Sequence, residues 1–265
     1  MTMEVADYWQ AARTAAVLAT QELAKWRKQF QVKEKGLFDL VTDADVASQK
    51  AIHGYLSYRF PDHAFLGEEG DADKSRPSAD APPTWIVDPI DGTTNYVHDC
   101  PLYAISIGLQ IDGELVVGVV HDPSRNEMFH AAKDHGAFIN EEAIRTSDTD
   151  TLARALVATG FPTDIRGKEF ILDYWTQFSY KAQALRRTGS TAINLAYLAA
   201  GRFDGFYAFD NHVWDVAGGV AVLLEAGGSI TNADGSAYDP YTVDCVASNG
   251  PLQSVMLEEI GKRKR

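Results

Sequence analysis

Two aspartates that flank a Pro-Ile pair, Asp88-Pro89-Ile90-Asp91, followed by Gly92-Thr93-Thr94-Asn95, are the residues of this chain best suited to chemistry. Trp85-Ile86-Val87 leads into them as an apolar run, so the order reads as a buried strand ending in carboxylates, then a turn, then a helix start. Past the rigid proline both carboxylates can point into one site, and the carbonyl between them adds a third hard oxygen. Hard oxygens suit Mg²⁺. If Gly92 to Asn95 opens a helix, its unpaired N–H groups form an anion site beside the metal. The chemistry expected of such a set is the metal-assisted handling of a phosphate.

More acids belong to the same search. Glu68-Glu69 follows Phe65-Leu66-Gly67, a short apolar strand, and on its own would be a solvent-facing turn. Asp215 stands in Val213-Trp214-Asp215-Val216-Ala217-Gly218-Gly219, where the plain alternative is an N-cap aspartate; both uses are compatible. For Asp88 and Asp91 the alternative is an N-cap with a turn residue. Thr42 with Asp45 three residues on reads as a capping box.

These residues need elements to hold them. Val5, Trp9, Ala12, Ala16, Ala19, Leu23, Trp26 and Phe30 recur at steps of four and three, as one face of a long helix. A second helix carries Ile52, Tyr55, Leu56 and Phe60 and stops at Pro61. From Asp71 to Pro83 the chain is polar and proline-rich, a surface loop that could close over the site. Ile105 to Ile111, a turn at Asp112-Gly113 and Leu115 to Val120 form a β-hairpin, with further strands at Glu127 to Ala131 and Gly136 to Asn140.

After about residue 150 strand and helix alternate. Strands are expected at 155–159, 184–186, 203–208 and 243–247, and helices at 168–181, from Gly189-Ser190-Thr191 to Ala200, at 215–226, and from Pro251 onward. Gly227-Gly228 ends the third of these helices. The fold class is thus an α+β half, residues 1–150, joined to an α/β half, residues 151–265, with the site between them.

With 265 residues and 45% hydrophobic content, the chain can bury the core of a globular enzyme. A net charge of −13 disfavours nucleic acid and anionic membrane as partners. It does not exclude a phosphate ester, because divalent ions between carboxylates and ligand reverse the local sign. Cys100 and Cys245 lie far apart without metal-site spacing, no stretch is long and apolar enough to span a membrane, and the N-terminus lacks the pattern of a signal peptide. A cytoplasmic protein is expected. The ending Lys262-Arg263-Lys264-Arg265 reads as a solvated terminus.

G-E-E at 67–69, D-P-I-D-G-T-T-N at 88–95, and W-D-V-A-G-G at 214–219 with E-A-G-G at 225–228 resemble the inositol monophosphatase family of Mg²⁺-dependent, lithium-sensitive phosphatases in order and spacing across nearly the whole chain. The resemblance implies a layered αβαβα sandwich and a homodimer. It implies that Glu68, Asp88 and the Ile90 carbonyl hold one metal, that Asp88, Asp91 and Asp215 hold a second, and that Glu68 and Asp88 help with a third. Asp45 and Thr93 match the pair that positions and deprotonates the attacking water. Lys35, in K-G-x-x-D, matches a lysine near the site; its plain alternative is a solvated loop residue. Gly189, Ser190 and Thr191 match a stretch that touches substrate. Seven residues before Asp215, where the family has an inositol-reading glutamate, this chain has Ala208, and Asp210 or His212 could take over the hydroxyl contacts or be exposed loop residues.

The expected function is a phosphomonoesterase using two or three Mg²⁺ ions on a small polyol or sugar phosphate, with inositol 1-phosphate the default. Attack by a metal-bound water is in line, and the amides of Gly92, Thr93 and Thr94 take phosphate oxygens, while Asp91, Gly189, Ser190, Thr191, Asp210 and His212 face the alcohol. Histidinol phosphate, fructose 1,6-bisphosphate, NADP and adenosine bisphosphate stay open. From another class, a metal-dependent binding or regulatory protein would keep the fold without turnover. On the ligand assignment, Asp88→Asn abolishes activity by dismantling both metal stations; near-normal turnover at saturating Mg²⁺ would place the centre elsewhere.

Overall fold

A computed structural model describes residues 4–27, 29–36, 39–70, 76–78 and 80–262. Leu37 and Phe38, part of the loop read at 71–83 and the end of the basic tail lie outside these. Helix α1 (Val5–Trp26) is followed by β1 (Val32–Gly36), β2 (Asp39–Thr42), α2 (Asp43–Arg59), β3 (Ala64–Gly67), β4 (Thr84–Asp91) and the single turn α3 (Thr93–Val97). A meander follows, made of β5 (Ala104–Ile111), β6 (Glu114–Asp122), β7 (Glu127–Ala132), β8 (Ala137–Ile139) and β9 (Glu142–Ile144). The later part contains β10 (Leu156–Gly160), α4 (Phe170–Ser179), β11 (Ala184–Arg186), α5 (Thr191–Ala199), β12 (Gly205–Ala208), α6 (Val213–Glu225), β13 (Ser229–Asn232), β14 (Cys245–Ser248) and α7 (Gln253–Gly261).

Strands β3 to β9 form a seven-stranded sheet in sequence order, parallel only between β3 and β4. The other large sheet runs β11-β10-β12-β14-β13, parallel over its first three strands. Side-chain alternation divides the core into layers. Trp85, Val87, Ile105, Ile107 and Leu109 pack under α1 and α2. Helices α5 and α6 lie between the sheets, with Val120 and Phe129 on one side and Phe206, Ala208 and Ala247 on the other. Tyr207 and Val246, one residue out of step, face α4 and α7. The result is an αβαβα sandwich.

The expected long apolar face of α1 is buried at Ala12, Ala16, Ala19 and Leu23, but the helix ends at Trp26 and Phe30 packs from the following segment. Asp112 and Gly113 both have positive φ, as the two-residue hairpin turn requires. The short strands β1, β9 and β13 carry no readable alternation, and the sequence does not announce them.

Two features position the acids. The first is a bulge in β4: Asp88 pairs with Ser106 and Asp91 with Ala104, so three steps on β4 oppose two on β5. In a regular strand residues three apart face opposite ways. The extra residue restores a common face for Asp88 and Asp91, and it turns Ile90 into the same core layer as Trp85 and Val87. The strand therefore continues through Asp91 rather than ending before it.

The second is the close approach of α6 to β5 and β6. A Cβ on Gly118 would lie 2.3 Å from the Gly218 carbonyl oxygen, and one on Gly218 would lie 2.8 Å from the Val119 carbonyl. Glycine is needed on both sides, and the contact brings the first turn of α6 down over β4. Gly218→Ala should cost about 1–3 kcal/mol in urea unfolding, because besides the Ser106 hydroxyl the near neighbours are strand backbone, which cannot step aside. Gly54→Ala, on an open face of α2 with nothing near the added carbon, serves as the neutral control; equal midpoints for the two variants would contradict the tight-contact account.

Candidate metal and phosphate site

Local structure fixes each acid separately. Asp88 Oδ1 accepts the Ile90 N–H at 3.0 Å, and Ser48 Oγ donates to the Pro89 carbonyl at 3.0 Å, so the bulge is held from both sides. Asp91 accepts the Ser190 hydroxyl and the Ala192 N–H, the latter at 2.6 Å, at the start of α5. Asp215 is the third residue of α6 rather than its N-cap, and its carboxylate accepts the His212 N–H at 2.7 Å. Glu68 follows β3 and receives Lys35 Nζ at 2.8 Å; Lys35 also reaches Glu69 at 2.6 Å. Lys35 is thus tied to the acids and is no solvated loop residue.

Asp45 caps α2 with one carboxylate oxygen and meets Thr93 with the other. Its Oδ2 accepts the Thr42 N–H at 2.7 Å and the Thr42 hydroxyl at 2.6 Å, completing the capping box of α2. Its Oδ1 lies 3.0 Å from Thr93 Oγ1, which is also 3.0 Å from the Ile90 carbonyl. One hydroxyl proton serves either acceptor, so Thr93 can pass a proton toward Asp45.

A single cavity of about 540 Å³ is lined by Glu68, Asp88, Asp91 and Asp215, with Gly92, Thr93 and Thr94 at its floor. Gly189, Ser190, Thr191, Asp210 and His212 line the same cavity. Asp45 is fully buried directly behind Thr93. Asp210 is engaged by Lys168, and the His212 ring stacks on Trp214 with centroids 4.7 Å apart. Ala208 is enclosed at the end of β12, and a Cβ on Gly160 would lie 3.2 Å from its own.

Burial is the main force on the acids' protonation. It pushes Asp88 well above the ordinary carboxylate range, and the charges of Glu68, Asp91 and Asp215 add to it. Asp215 is raised in the same way, by burial and then by Asp91. Asp91 rises to about 6 through burial, held there by the opposing bonds from Ser190, Ala192 and Thr191. Burial takes Asp45 to about 6 against its bonds from Thr42 and Thr93, and Glu69 to about 7 against Lys35. Among the described residues, no three His, Cys, Asp or Glu side chains are drawn together tightly enough to cage an ion as they stand. The donor set nevertheless fits a hard divalent cation: it is all oxygen, buried, and driven to hold protons by the repulsion that a cation would remove.

Sequence reasoning missed several residues here. Asn95 Nδ2 donates to the Leu102 carbonyl at 2.6 Å and the Thr188 carbonyl at 2.9 Å, joining the segment after α3 to the turn before α5. Gln49 clasps the Glu69 backbone through both its amide groups. Phe161, Pro162, Thr163 and Arg187 also line the cavity. Only Arg187 had a visible signal, the basic pair Arg186-Arg187 that precedes Thr188-Gly189. In the described part of the 71–83 segment, Arg76 pairs with Asp239 at 2.9 Å. Among the described residues no helix is long and apolar enough to cross a membrane.

Comparison with known proteins agrees with this architecture. Residues 2–264 match the model of the inositol monophosphatase family. Inositol monophosphatase 3 of Solanum lycopersicum is 38% identical over 96% of this chain and 94% of its own length. Inositol-1-monophosphatase of Synechocystis is 38% identical over 95% of this chain and 88% of its own. The crystal structure of the extragenic suppressor protein suhB of Bartonella henselae superposes with a TM-score of 0.88 at 32% identity, covering 96% of this chain and 98% of that one. A whole-chain match of this kind, on a fold with the acids gathered at one cavity, settles the kinship: the chain belongs to the inositol monophosphatase family of phosphoric monoester hydrolases.

Proposed function

We propose that the protein is a Mg²⁺-dependent phosphomonoesterase acting on a small polyol or sugar phosphate, with inositol 1-phosphate as the reference substrate. The observation that carries this reading is the burial of Asp88 and Asp91 at one cavity that the half-buried Glu68 and Asp215 also line. Glu68, Asp88 and the Ile90 carbonyl would hold one ion, and Asp88, Asp91 and Asp215 a second, with a third shared by Glu68 and Asp88. Such ions supply positive charge to the phosphoryl oxygens, acidify a water and stabilise the leaving alkoxide.

The chain's own groups do the rest. The N–H groups of Gly92, Thr93 and Thr94, at a helix start where they have no intrahelical acceptor, take phosphate oxygens. Thr93 Oγ1 accepts from a water on the cavity side and donates to Asp45 Oδ1, so the water's proton ends on a carboxylate of pKa about 6, suited to a base near neutrality. Oxygen then attacks phosphorus in line as the P–O bond to the alcohol breaks. Gly189, Ser190, Thr191 and His212 flank the alcohol with Asp91, and Asp210 does so while bound to Lys168.

In this reading the α+β part, 1–150, brings most of the metal ligands and the α/β part, 151–265, the alcohol wall with Asp215. Two free thiols fit a reducing cytoplasm. The protein acts as a lithium-inhibited homodimer, which sedimentation and inhibition assays check.

Two tests follow. Phosphate release from a panel of inositol, sugar, histidinol and nucleotide phosphates should need Mg²⁺ and vanish in EDTA; no turnover on any member would sink the enzyme reading. The second test is thermal. In the cation-free protein Asp45 and Asp91 keep protons up to about pH 6, whereas the unfolded chain releases them near about pH 4. Their contribution to stability is therefore full below about pH 4 and is lost as pH rises through about 6. Mg²⁺ should raise Tm by several degrees at about pH 7.5 and little at about pH 5. An equal shift at both would contradict the claim that the buried acids are the ligands.

A further inference from the structure

Two basic side chains of the Lys and Arg type line the cavity, Lys35 and Arg187. Lys35 is neutralised by Glu68 and Glu69. Arg187 has no carboxylate within ion-pair distance among the described residues; the acid whose charge reaches it, Asp91, is already engaged by Ser190 and the start of α5. Its one recorded hydrogen bond runs from Nη2 to the Phe161 carbonyl at 3.5 Å, the limit of such a contact. The guanidinium lies along the turn before α5, where a Cβ on Gly189 would come within 3.1 Å of Nη1. That turn adopts φ 89°, a glycine conformation, so the backbone leaves room for the arginine against the cavity wall.

The rest of the alcohol side adds no compensating charge. Asp210 is taken by Lys168, and position 208, where a hydroxyl-reading acid would sit by resemblance, is an enclosed alanine. The cavity thus combines the acid cluster with a planar cation that has donors to spare. A guanidinium presents paired N–H groups that match phosphate and carboxylate oxygens. The volume, about 540 Å³, lies in the range that admits a sugar-sized ligand with two charged groups.

We propose that Arg187 is a specificity residue that receives a second anionic group, a phosphate or carboxylate, on the alcohol part of the substrate, so that phosphomonoesters bearing such a group are preferred over neutral ones. This rests on the phosphomonoesterase reading and narrows its substrate class.

The test uses matched pairs that differ only in the second group: fructose 1,6-bisphosphate against fructose 1-phosphate, and 2-phosphoglycerate against glycerol 2-phosphate. The wild-type protein with Mg²⁺ should favour the charged member of at least one pair by roughly 10- to 100-fold in kcat/KM, carried by KM, as a charge-assisted hydrogen bond allows. The pair that shows the preference tells phosphate from carboxylate. In Arg187→Ala the ratio should fall toward one, and Arg187→Lys should keep part of it. A wild-type ratio near one in both pairs, or an equal loss on both members in Arg187→Ala, would overturn the proposal and leave the phosphatase reading standing. Absence of turnover on every member would fail that reading and this inference together.

Discussion

Three carboxylates drawn into one cavity within range of one another's charge, two of them buried and the third half-buried, are the constraint on which the rest of this structure depends. Asp88, Asp91 and Asp215 come from a strand and from the first turn of a helix that crosses it, and nothing local would bring them together. Placing like charges out of water is costly unless they bind protons or cations. The fold enforces it through the bulge at Pro89-Ile90, which turns two aspartates to one face, and through the glycine contact between Gly118 and Gly218, which lets α6 descend. The glycines of W-D-V-A-G-G therefore serve the aspartate beside them.

Around that centre the remaining polar groups are arranged by what they can hold. Asp91 is oriented by α5, Asp215 by the chain turn at His212, and Asp45 by the helix it caps. Lys35 sits on Glu68 and Glu69 where positive charge is in demand. On the proposed ligand assignment, a cation would displace that ammonium from Glu68 and protons from the aspartates, which links metal affinity to pH.

Much of this was legible in the residues because the signals are local. The Asp-Pro-Ile-Asp run shows its acids by residue type and spacing, and the Thr42-Asp45 box and the Asp112-Gly113 turn each fix their own conformation. Asp88 in the strand interior was not legible, because a bulge is defined by the register of a partner strand far along the chain. Strands of three to five residues such as β1, β9 and β13 are too short for alternation to show. Arg187 went unread for another reason: a basic pair is ordinarily solvated, and Arg187 stays exposed, so that only the folded chain shows it on the cavity lining beside Phe161 and Gly189.

The central claim is that the buried acids hold protons in the free protein and exchange them for divalent cations. Calorimetric titration of Mg²⁺ into the protein near about pH 6, repeated in buffers of different ionisation enthalpy, measures the protons released on binding. The account predicts a net release of about one proton or more per chain, falling as the pH is raised. Mg²⁺ binding with no proton release, or no binding at all, would contradict it.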